Sequence, residues 1–388
     1  MYTEPVIESH TGPIIESASF PIRNLRLDTP PEATPERFHI PSLDGIRALA
    51  FCLVFVAHAW GTPLGMFGVT AFFFLSGFLI TTLMRREHEL SGSISLRNFY
   101  IRRSLRIFPP LYLTIGFILI LVVTGALNTR VESGSFFAAS TFATNYWIIF
   151  KNIRNFGLGP LWSLAVEEHF YFLFPFLFLL MNRLGLSYKN QSWALGGLCL
   201  IFLIWRLLLV FLYSGVPMKY LLYASDTRVD SILFGCILAL RANPMLDRWA
   251  YPSKTWSVLG ILVLLLSFCI RNNDYRLTLH YSLQGLALIP IFTLVIYRAA
   301  DWFRWLNGRV IRFVGSLSYT MYLVHSSFLF AVLPRVRSHT FAVFLALTLT
   351  LFYAYMMNLL VERPLARIKR RIKSVSQAKS SQEQFCSI

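Results

Sequence analysis

A chain of 388 residues in which 55% are hydrophobic and only 14% are charged is far too apolar to be a soluble domain. The net charge of +17 does not indicate nucleic-acid binding, because the basic residues lie between apolar runs rather than along one face. The composition therefore predicts an all-α polytopic membrane protein that contacts membrane lipid and binds no nucleic acid.

Both ends of the chain are polar. Residues 1–40 are rich in Pro and Glu and lack the charged start and short apolar core of a signal peptide, so they predict a flexible cytoplasmic tail. Residues 367–388 predict a basic cytoplasmic tail, which leaves 41–366 as the transmembrane domain. The five cysteines are scattered and none has the spacing of metal ligands, so no metal site is predicted.

Apolar length predicts about ten transmembrane helices in this domain. They lie near residues 48–66, 67–84, 107–127, 162–182, 194–213, 229–240, 256–270, 281–297, 314–333 and 340–361.

The first span carries an arginine and a histidine. On one helix His58 lies eleven residues after Arg47, about 16.5 Å further along the axis. With Arg47 at the water boundary, this distance is roughly half the thickness of the hydrocarbon core. A histidine at that depth, on the same helix as an arginine at the membrane surface, indicates chemistry performed inside the membrane.

The loop before the third span ends in three arginines, Arg102, Arg103 and Arg106. Two interpretations stay open. The arginines fix the cytoplasmic orientation of the loop, or they form a site for phosphates, which guanidinium forks hold better than ammonium groups do. A nucleotide-type donor such as coenzyme A would present phosphates from the cytoplasm.

The apolar stretch 136–150 has fifteen residues and several polar interruptions, so we interpret it as a re-entrant or interfacial segment on the non-cytoplasmic side. With ten spans, 26 of the 36 Lys and Arg residues then lie on the cytoplasmic side and nine on the other. The positive-inside rule favours this arrangement. It predicts a multi-pass protein, expected in a bacterial inner membrane, with both termini cytoplasmic.

Two adjacent acids, Glu167 and Glu168, begin the fourth span. A carboxylate that faces lipid at membrane depth costs about 2.5 kcal/mol or more, so both are expected to face a cavity. Glu167 would lie in the outer part of the membrane at a depth that His58 shares, with Tyr171 one helical turn away. The alternative is a solvated helix start in which the acid interacts only with the helix dipole.

Ionisable residues also occur in later spans. His325 lies about halfway along its span, where it either lines the reaction cavity or bonds a neighbouring helix. Arg228 and Asp230 are expected to pair with charges on neighbouring helices rather than to act in catalysis.

Seven motifs follow one another along the chain. They are SLDGIRALAFCLVFVAHAW at 42–60, FFFLSGFLIT at 72–81, NFYIRRSLRIFPPLYL at 98–113, LWSLAVEEHFYFLFP at 161–175, RVDSILFGCILA at 228–239, SLSYTMYLVH at 316–325 and VERP at 361–364. Together they resemble the membrane acyltransferase 3 family, whose members include O-antigen and exopolysaccharide acetylases and macrolide acyltransferases. The resemblance covers about residues 39–366.

The resemblance implies a cytoplasmic acyl-CoA as co-substrate, no permanently bound cofactor, and an acceptor hydroxyl that is usually on a sugar. It also implies that His58 is essential, that the arginines at 47, 103 and 106 are important, and that Glu167 is the favoured acid of its pair. With about 25 residues after the last span, the chain resembles the stand-alone type without a fused soluble domain.

The predicted function is O-acyl transfer, from acetyl-CoA or another short acyl-CoA to a hydroxyl of a glycan, a lipid-linked sugar or a glycosylated small molecule. His58 is the expected general base, and Glu167 orients it or binds the acceptor. An acyl-histidine intermediate stays open as an alternative. The phosphate-binding candidates are Arg47, Arg102, Arg103 and Arg106, and the substrate-binding candidates are Trp162, Tyr171 and His325.

Two functions of other classes compete with this prediction. A secondary transporter of a sugar or organic anion would use the same buried charges to line its path, but the chain shows no internal repeat and no matching pair of broken spans. A non-enzymatic scaffold would leave His58, Glu167 and His325 without a purpose.

Overall fold

The computed structural model describes residues 41–127, 133–151, 157–213, 215–247, 253–299 and 301–367. The predicted tails, 1–40 and nearly all of 367–388, lie outside these residues. The described part of the chain is helical and contains no strand, as its composition predicted. Its helices are α1 Pro41–Trp60, α2 Leu64–Ser91, α3 Leu96–Val123, α4 Ser133–Ser140, α5 Thr144–Lys151, α6 Leu161–Arg183, α7 Tyr188–Phe211, α8 Met218–Tyr223, α9 Ser225–Arg228, α10 Asp230–Arg241, α11 Lys254–Cys269, α12 Asn273–Leu277, α13 Leu279–Tyr297, α14 Arg309–Val332 and α15 His339–Met357.

Seven helices of the described ranges are long and apolar enough to cross a membrane, namely α1, α2, α3, α6, α7, α13 and α15 with its extension to Arg367. The other three predicted spans correspond to α10, α11 and α14, of which α10 has only 12 residues and α11 only 16. A multi-pass membrane architecture is confirmed, and the number ten stays a prediction.

The outer surface of the bundle is strongly apolar. On α7 and α11, for example, Leu200, Ile201, Leu262 and Leu265 are exposed. A soluble monomer rarely shows apolar patches of this extent, whereas lipid tails cover them without cost.

The first two predicted spans are displaced along the chain. The turn between α1 and α2 falls at Gly61 and Pro63 rather than near residue 66. Gly61 has a φ of +70°, a conformation that ends a helix readily when no Cβ is present. At the other end α1 begins earlier than apolar length suggested, because the polar residues Ser42 and Asp44 are buried inside the bundle.

This displacement corrects the depth assigned to His58. Arg47 lies in the second turn of α1, not at its boundary, and His58 lies in the last turn. The 20-residue helix is about 30 Å long, so His58 is near the far end of the span rather than at its middle.

The third span also begins earlier than predicted. Its N-cap is Ser95, whose hydroxyl accepts a hydrogen bond from the backbone N–H of Asn98. The helix therefore includes the arginines that we expected in a loop, and it continues through Pro109 and Pro110. Placing arginines on a helix sets the direction of each guanidinium, which a loop would not do.

The segment 136–150 is not one continuous helix. It is divided between α4 and α5, each of eight residues, with Phe142 at a φ of +57° in the turn between them. Eight residues span about 12 Å, well short of the hydrocarbon core. This geometry agrees with the interpretation of the segment as re-entrant or interfacial.

Glycines allow the central helices to approach one another closely. A Cβ at Gly77 of α2 would lie 2.0 Å from the carbonyl oxygen of Ile232 in α10, and a Cβ at Gly235 of α10 would lie 2.0 Å from that of Phe74. Such reciprocal backbone contact is typical of small residues at helix crossings in membranes. It fixes α2, which lines both cavities described below, at the centre of the bundle.

Candidate active site

Two cavities adjoin one another inside the bundle. The first, here called the arginine cavity, has a volume of about 90 Å³, and its lining includes Arg47, Ser76, Arg103, Arg106, Glu167 and Tyr171. The second, the histidine cavity, has a volume of about 580 Å³, and its lining includes His58, Trp162, Arg271, Arg276, His280 and Tyr281. The side chains of Val69 and Tyr322 line both cavities.

Three guanidinium groups face the arginine cavity from two helices. Arg103 and Arg106 are one turn apart on α3, and Arg47 comes from α1. Arg47 donates to Asp44 at 3.0 Å, and the guanidinium carbon of Arg103 lies 4.4 Å from the ring centroid of Tyr171. The lining of this cavity contains three arginines and one carboxylate, so its net charge is positive. A cavity of this charge suits an anion with several charges.

That carboxylate is Glu167. It accepts hydrogen bonds from the hydroxyls of Ser76 and Tyr171, so all three side chains are fixed in the arginine cavity. Of the two roles predicted for Glu167, the structure does not show the contact that would orient His58, and binding of the acceptor stays a prediction. The prediction assumed a common depth, but His58 lies near the end of α1, and Glu167 faces α2 and α3 instead.

His58 pairs with His325. The Nδ1 atom of His58 lies 2.8 Å from Nε2 of His325, and the two rings are stacked with centroids 5.0 Å apart. His325 is completely buried, and its Nδ1 lies 2.9 Å from the backbone carbonyl oxygen of Tyr322. Of the two interpretations left open for His325, the structure shows the bond to a neighbouring helix, and that bond ends on the candidate base.

This chain of contacts determines the tautomers of both neutral rings. A carbonyl oxygen can only accept, so Nδ1 of His325 carries its proton and Nε2 is an acceptor. Nδ1 of His58 must then donate to that Nε2, which leaves Nε2 of His58 unprotonated. The backbone carbonyl of Tyr322 thus determines, through the ring of His325, that Nε2 of His58 is the unprotonated nitrogen. His58 lines the histidine cavity.

The remaining candidates separate by location. Trp162 lines the histidine cavity, whereas Tyr171 lines the arginine cavity beside the predicted phosphate-binding residues. Arg102 donates to Glu87 at 2.8 Å and is not among the residues that line the arginine cavity, so the structure does not bring it together with the other three arginines.

The buried charges of α7, α9 and α10 fall into two groups, an ion pair and an arginine without an acidic partner. Asp230 forms a fully buried ion pair with Arg206 at 2.6 Å, which confirms the expected helix-to-helix pairing. Arg228 does not pair with an acid in the described structure. Its guanidinium stacks on Tyr281, 3.5 Å from the ring centroid, and donates to Thr70 at 3.2 Å.

Several residues of these cavities are not among the candidates predicted from the sequence. Ser76 carries a signal, since it is a polar residue in the apolar run FFFLSGFLIT. Arg271 and Arg276 carry another, because they lie in a loop that the positive-inside rule assigns to the side where arginine is disfavoured. Tyr322 gives no such signal, because its role depends on the packing of α14.

Comparison with known proteins gives a consistent picture. A family model described as an acyltransferase domain matches residues 40–361. The chain is 29% identical over 385 residues to "Putative O-acetyltransferase SACOL0978" of Staphylococcus aureus (strain COL), a match that covers 89% of this chain and 60% of that protein. It is 29% identical to the peptidoglycan O-acetyltransferase OatA of Listeria monocytogenes, covering 74% and 49%, and 28% identical to the O-acetyltransferase OatA of Staphylococcus aureus (strain NCTC 8325), covering 74% and 50%.

The chain thus spans between half and three fifths of the length of these relatives. No solved structure matches it. The names of the relatives give no support to the transporter alternative.

Proposed function

The chain belongs to the membrane acyltransferase family whose domain matches residues 40–361, and from that premise we propose that it is an O-acetyltransferase. Its donor is acetyl-CoA or another short acyl-CoA, bound from the cytoplasm. Its acceptor is a hydroxyl of a glycan, a lipid-linked sugar or a glycosylated small molecule. The name of the Listeria monocytogenes relative, a peptidoglycan O-acetyltransferase, supports a glycan acceptor.

One observation carries this proposal. His58, whose Nε2 is left unprotonated, lines a cavity large enough for a small-molecule substrate, and that cavity adjoins a second one lined by three arginines. The phosphates of the donor bind to Arg47, Arg103 and Arg106. The pantetheine arm then extends past Val69 and Tyr322, the two side chains that both cavities share.

In the transfer step the acceptor oxygen attacks the thioester carbonyl carbon while its proton moves to Nε2 of His58. Collapse of the tetrahedral intermediate breaks the carbon–sulfur bond, and the departing thiolate takes the proton from His58. The products are the acetyl ester of the acceptor and free CoA. His325 keeps His58 in the required tautomer throughout and does not itself exchange a proton with the substrates.

We test the proposal with the full chain in lipid nanodiscs, supplied with acetyl-CoA labelled in the acetyl group and with glycan acceptors. Transfer of label to glycan is expected from the wild type. Replacing Arg103 and Arg106 together by Ala should weaken acetyl-CoA binding about a hundredfold or more, because each of the two lost charged hydrogen bonds contributes roughly 1.5 to 3 kcal/mol. Lys at both positions should restore binding only in part.

Arg102→Ala is the matched control, since it removes an arginine of the same helix whose side chain pairs with Glu87. It should leave the affinity for acetyl-CoA within about threefold of the wild type. Equal CoA affinities in the wild type and in the variant lacking Arg103 and Arg106, measured by calorimetry, would show that these arginines only orient the protein.

We also propose that the protein lies in a bacterial inner membrane with both termini cytoplasmic. The 26 to nine division of basic residues supports this orientation. In a cysteine-free background, a cysteine at Ser93 should react with a membrane-impermeant maleimide only from the cytoplasmic side. One at Lys151 should react only from the other side, and labelling of both from one side would contradict the orientation.

A further inference from the structure

The histidine cavity carries positive charge that the transfer step does not use. Arg271 and Arg276 line it, and both are exposed. Neither makes an ion pair with an acid of the described chain. The lining of the cavity includes no Asp or Glu among the described residues, although it includes two histidines in addition to the two arginines.

A third cation lies behind the wall of the same cavity. Arg228 is fully buried and stacks on Tyr281, and its guanidinium carbon lies 5.8 Å from the ring centroid of Trp162. Both of these aromatic residues line the histidine cavity. The nearby carboxylate of Asp230 is neutralised by Arg206, so the charge of Arg228 adds to the positive potential that a ligand in the cavity meets.

One polar atom in the lining lacks a partner within the described structure. The hydroxyl oxygen of Thr62 is buried and makes no hydrogen bond. Buried polar atoms normally have a partner, because each unsatisfied group costs free energy. A polar ligand in the cavity would satisfy this hydroxyl.

The position of these arginines adds a further reason. Loops on the side of the membrane opposite the basic loop 85–106 are poor in Lys and Arg. Orientation alone gives no cause to keep two arginines in the segment between α11 and α13, where Arg276 lies in α12. Guanidinium forks match the oxygens of carboxylates and phosphates.

We propose that the histidine cavity selects an acceptor glycan that carries a negatively charged group, a carboxylate or a phosphate, and that Arg271 and Arg276 bind this group while a hydroxyl of the same molecule faces His58. The proposal rests on the proposed function, since it takes the histidine cavity as the acceptor site. Both candidate ligands are anionic sugars, and the experiment tests a carboxylate sugar and a phosphate sugar separately.

The experiment compares three sugars that differ only at C6, namely methyl β-D-glucoside, methyl β-D-glucuronide and methyl β-D-glucoside 6-phosphate. Their binding to the full chain is measured by calorimetry in nanodiscs of uncharged lipid, at low salt. At least one anionic sugar should bind about tenfold or more tightly than the neutral one, about the effect of one charged hydrogen bond. The double variant Arg271→Gln, Arg276→Gln should reduce this preference to within about threefold, and high salt should reduce it in the wild type.

Arg337→Gln is the matched control. Arg337 is exposed in the turn between α14 and α15, close to His339, whose ring contacts Trp60 at the end of α1. The substitution removes one positive charge that lies outside the cavity, on the same side of the protein. It should leave the preference for the anionic sugar unchanged.

Equal binding of the three sugars by the wild type would overturn the proposal, as would a preference that survives in the double variant. A second measurement uses vesicles that contain phosphatidylglycerol. If the double variant keeps the preference for the anionic sugar and loses only binding to these vesicles, the arginines contact lipid headgroups and the proposal is also overturned. If anionic sugars bind through these arginines and yet no acetyl group reaches any sugar, the anion site stands and the proposed transferase function fails.

Discussion

His58→Ala should abolish measurable acetyl transfer while the protein still folds and binds acetyl-CoA. His58 lines the cavity assigned to the acceptor, and its contact with His325 leaves its Nε2 unprotonated. Loss of a positioned general base typically lowers turnover by roughly 10² to 10⁴-fold. The measurement is label transfer from acetyl-CoA, and calorimetric binding of CoA shows that the donor site is intact.

The folding control for this variant is His339→Ala. His339 is also at the end of a helix on the same side of the bundle, and its ring contacts Trp60, two residues after His58. This variant should retain turnover within about threefold of the wild type. A His58→Ala protein with activity in that same range would exclude His58 as the base.

The unprotonated Nε2 also suits a nucleophile, so the two roles of His58 need a separate measurement. Wild-type protein is incubated with labelled acetyl-CoA in the absence of acceptor and examined by mass spectrometry. A general base leaves the protein unlabelled. Acetyl attached to His58 would show that the acyl-histidine route is used instead.

The class of the protein followed from its sequence because lipid imposes strong constraints. Long apolar runs in a chain with little charge have no stable alternative to transmembrane helices. The same constraint makes any ionisable residue within a span conspicuous, so His58, Glu167 and His325 are candidate functional residues on the sequence alone.

The ends of the helices were harder to predict from apolar length. A polar helix start such as Ser42 and Asp44 reads as a loop until the neighbouring helices that bury it are known. The arginines of α3 posed the same difficulty. Their helix begins at Leu96, and the cavity that receives Arg103 and Arg106 is formed by several other helices.

The partner of His58 could not be derived from sequence spacing. His325 is 267 positions away, and depth along a span, the only coordinate that the sequence supplies, does not give the direction in which a side chain points. Depth alone favoured Glu167, which lies in the arginine cavity. The packing of α1 against α14 determines the partner of His58, because it brings the two histidine rings into contact.

The contact between the two histidines leads to the second large expected effect. His325→Ala should lower turnover by roughly 10 to 10³-fold without changing the affinity for acetyl-CoA, because His58 loses the acceptor that keeps its Nδ1 protonated. Loss of the tautomer-fixing partner in serine protease triads costs about 10⁴-fold, and a neutral imidazole should contribute less than that carboxylate does. Turnover and CoA binding are measured as for His58→Ala.

Two further variants distinguish this positioning role from simple packing, since the ring of His325 also contacts Phe51 and Phe55. The amide of Gln reaches about as far as Nε2 of histidine and can accept from His58, whereas the shorter amide of Asn cannot. His325→Gln should therefore recover part of the lost turnover and His325→Asn should not. If the two histidines act as one unit, the double variant His58→Ala, His325→Ala will be no slower than His58→Ala alone. Additive losses, or equal rescue by Gln and Asn, would mean that His325 only fills space beside a base that is oriented by other groups.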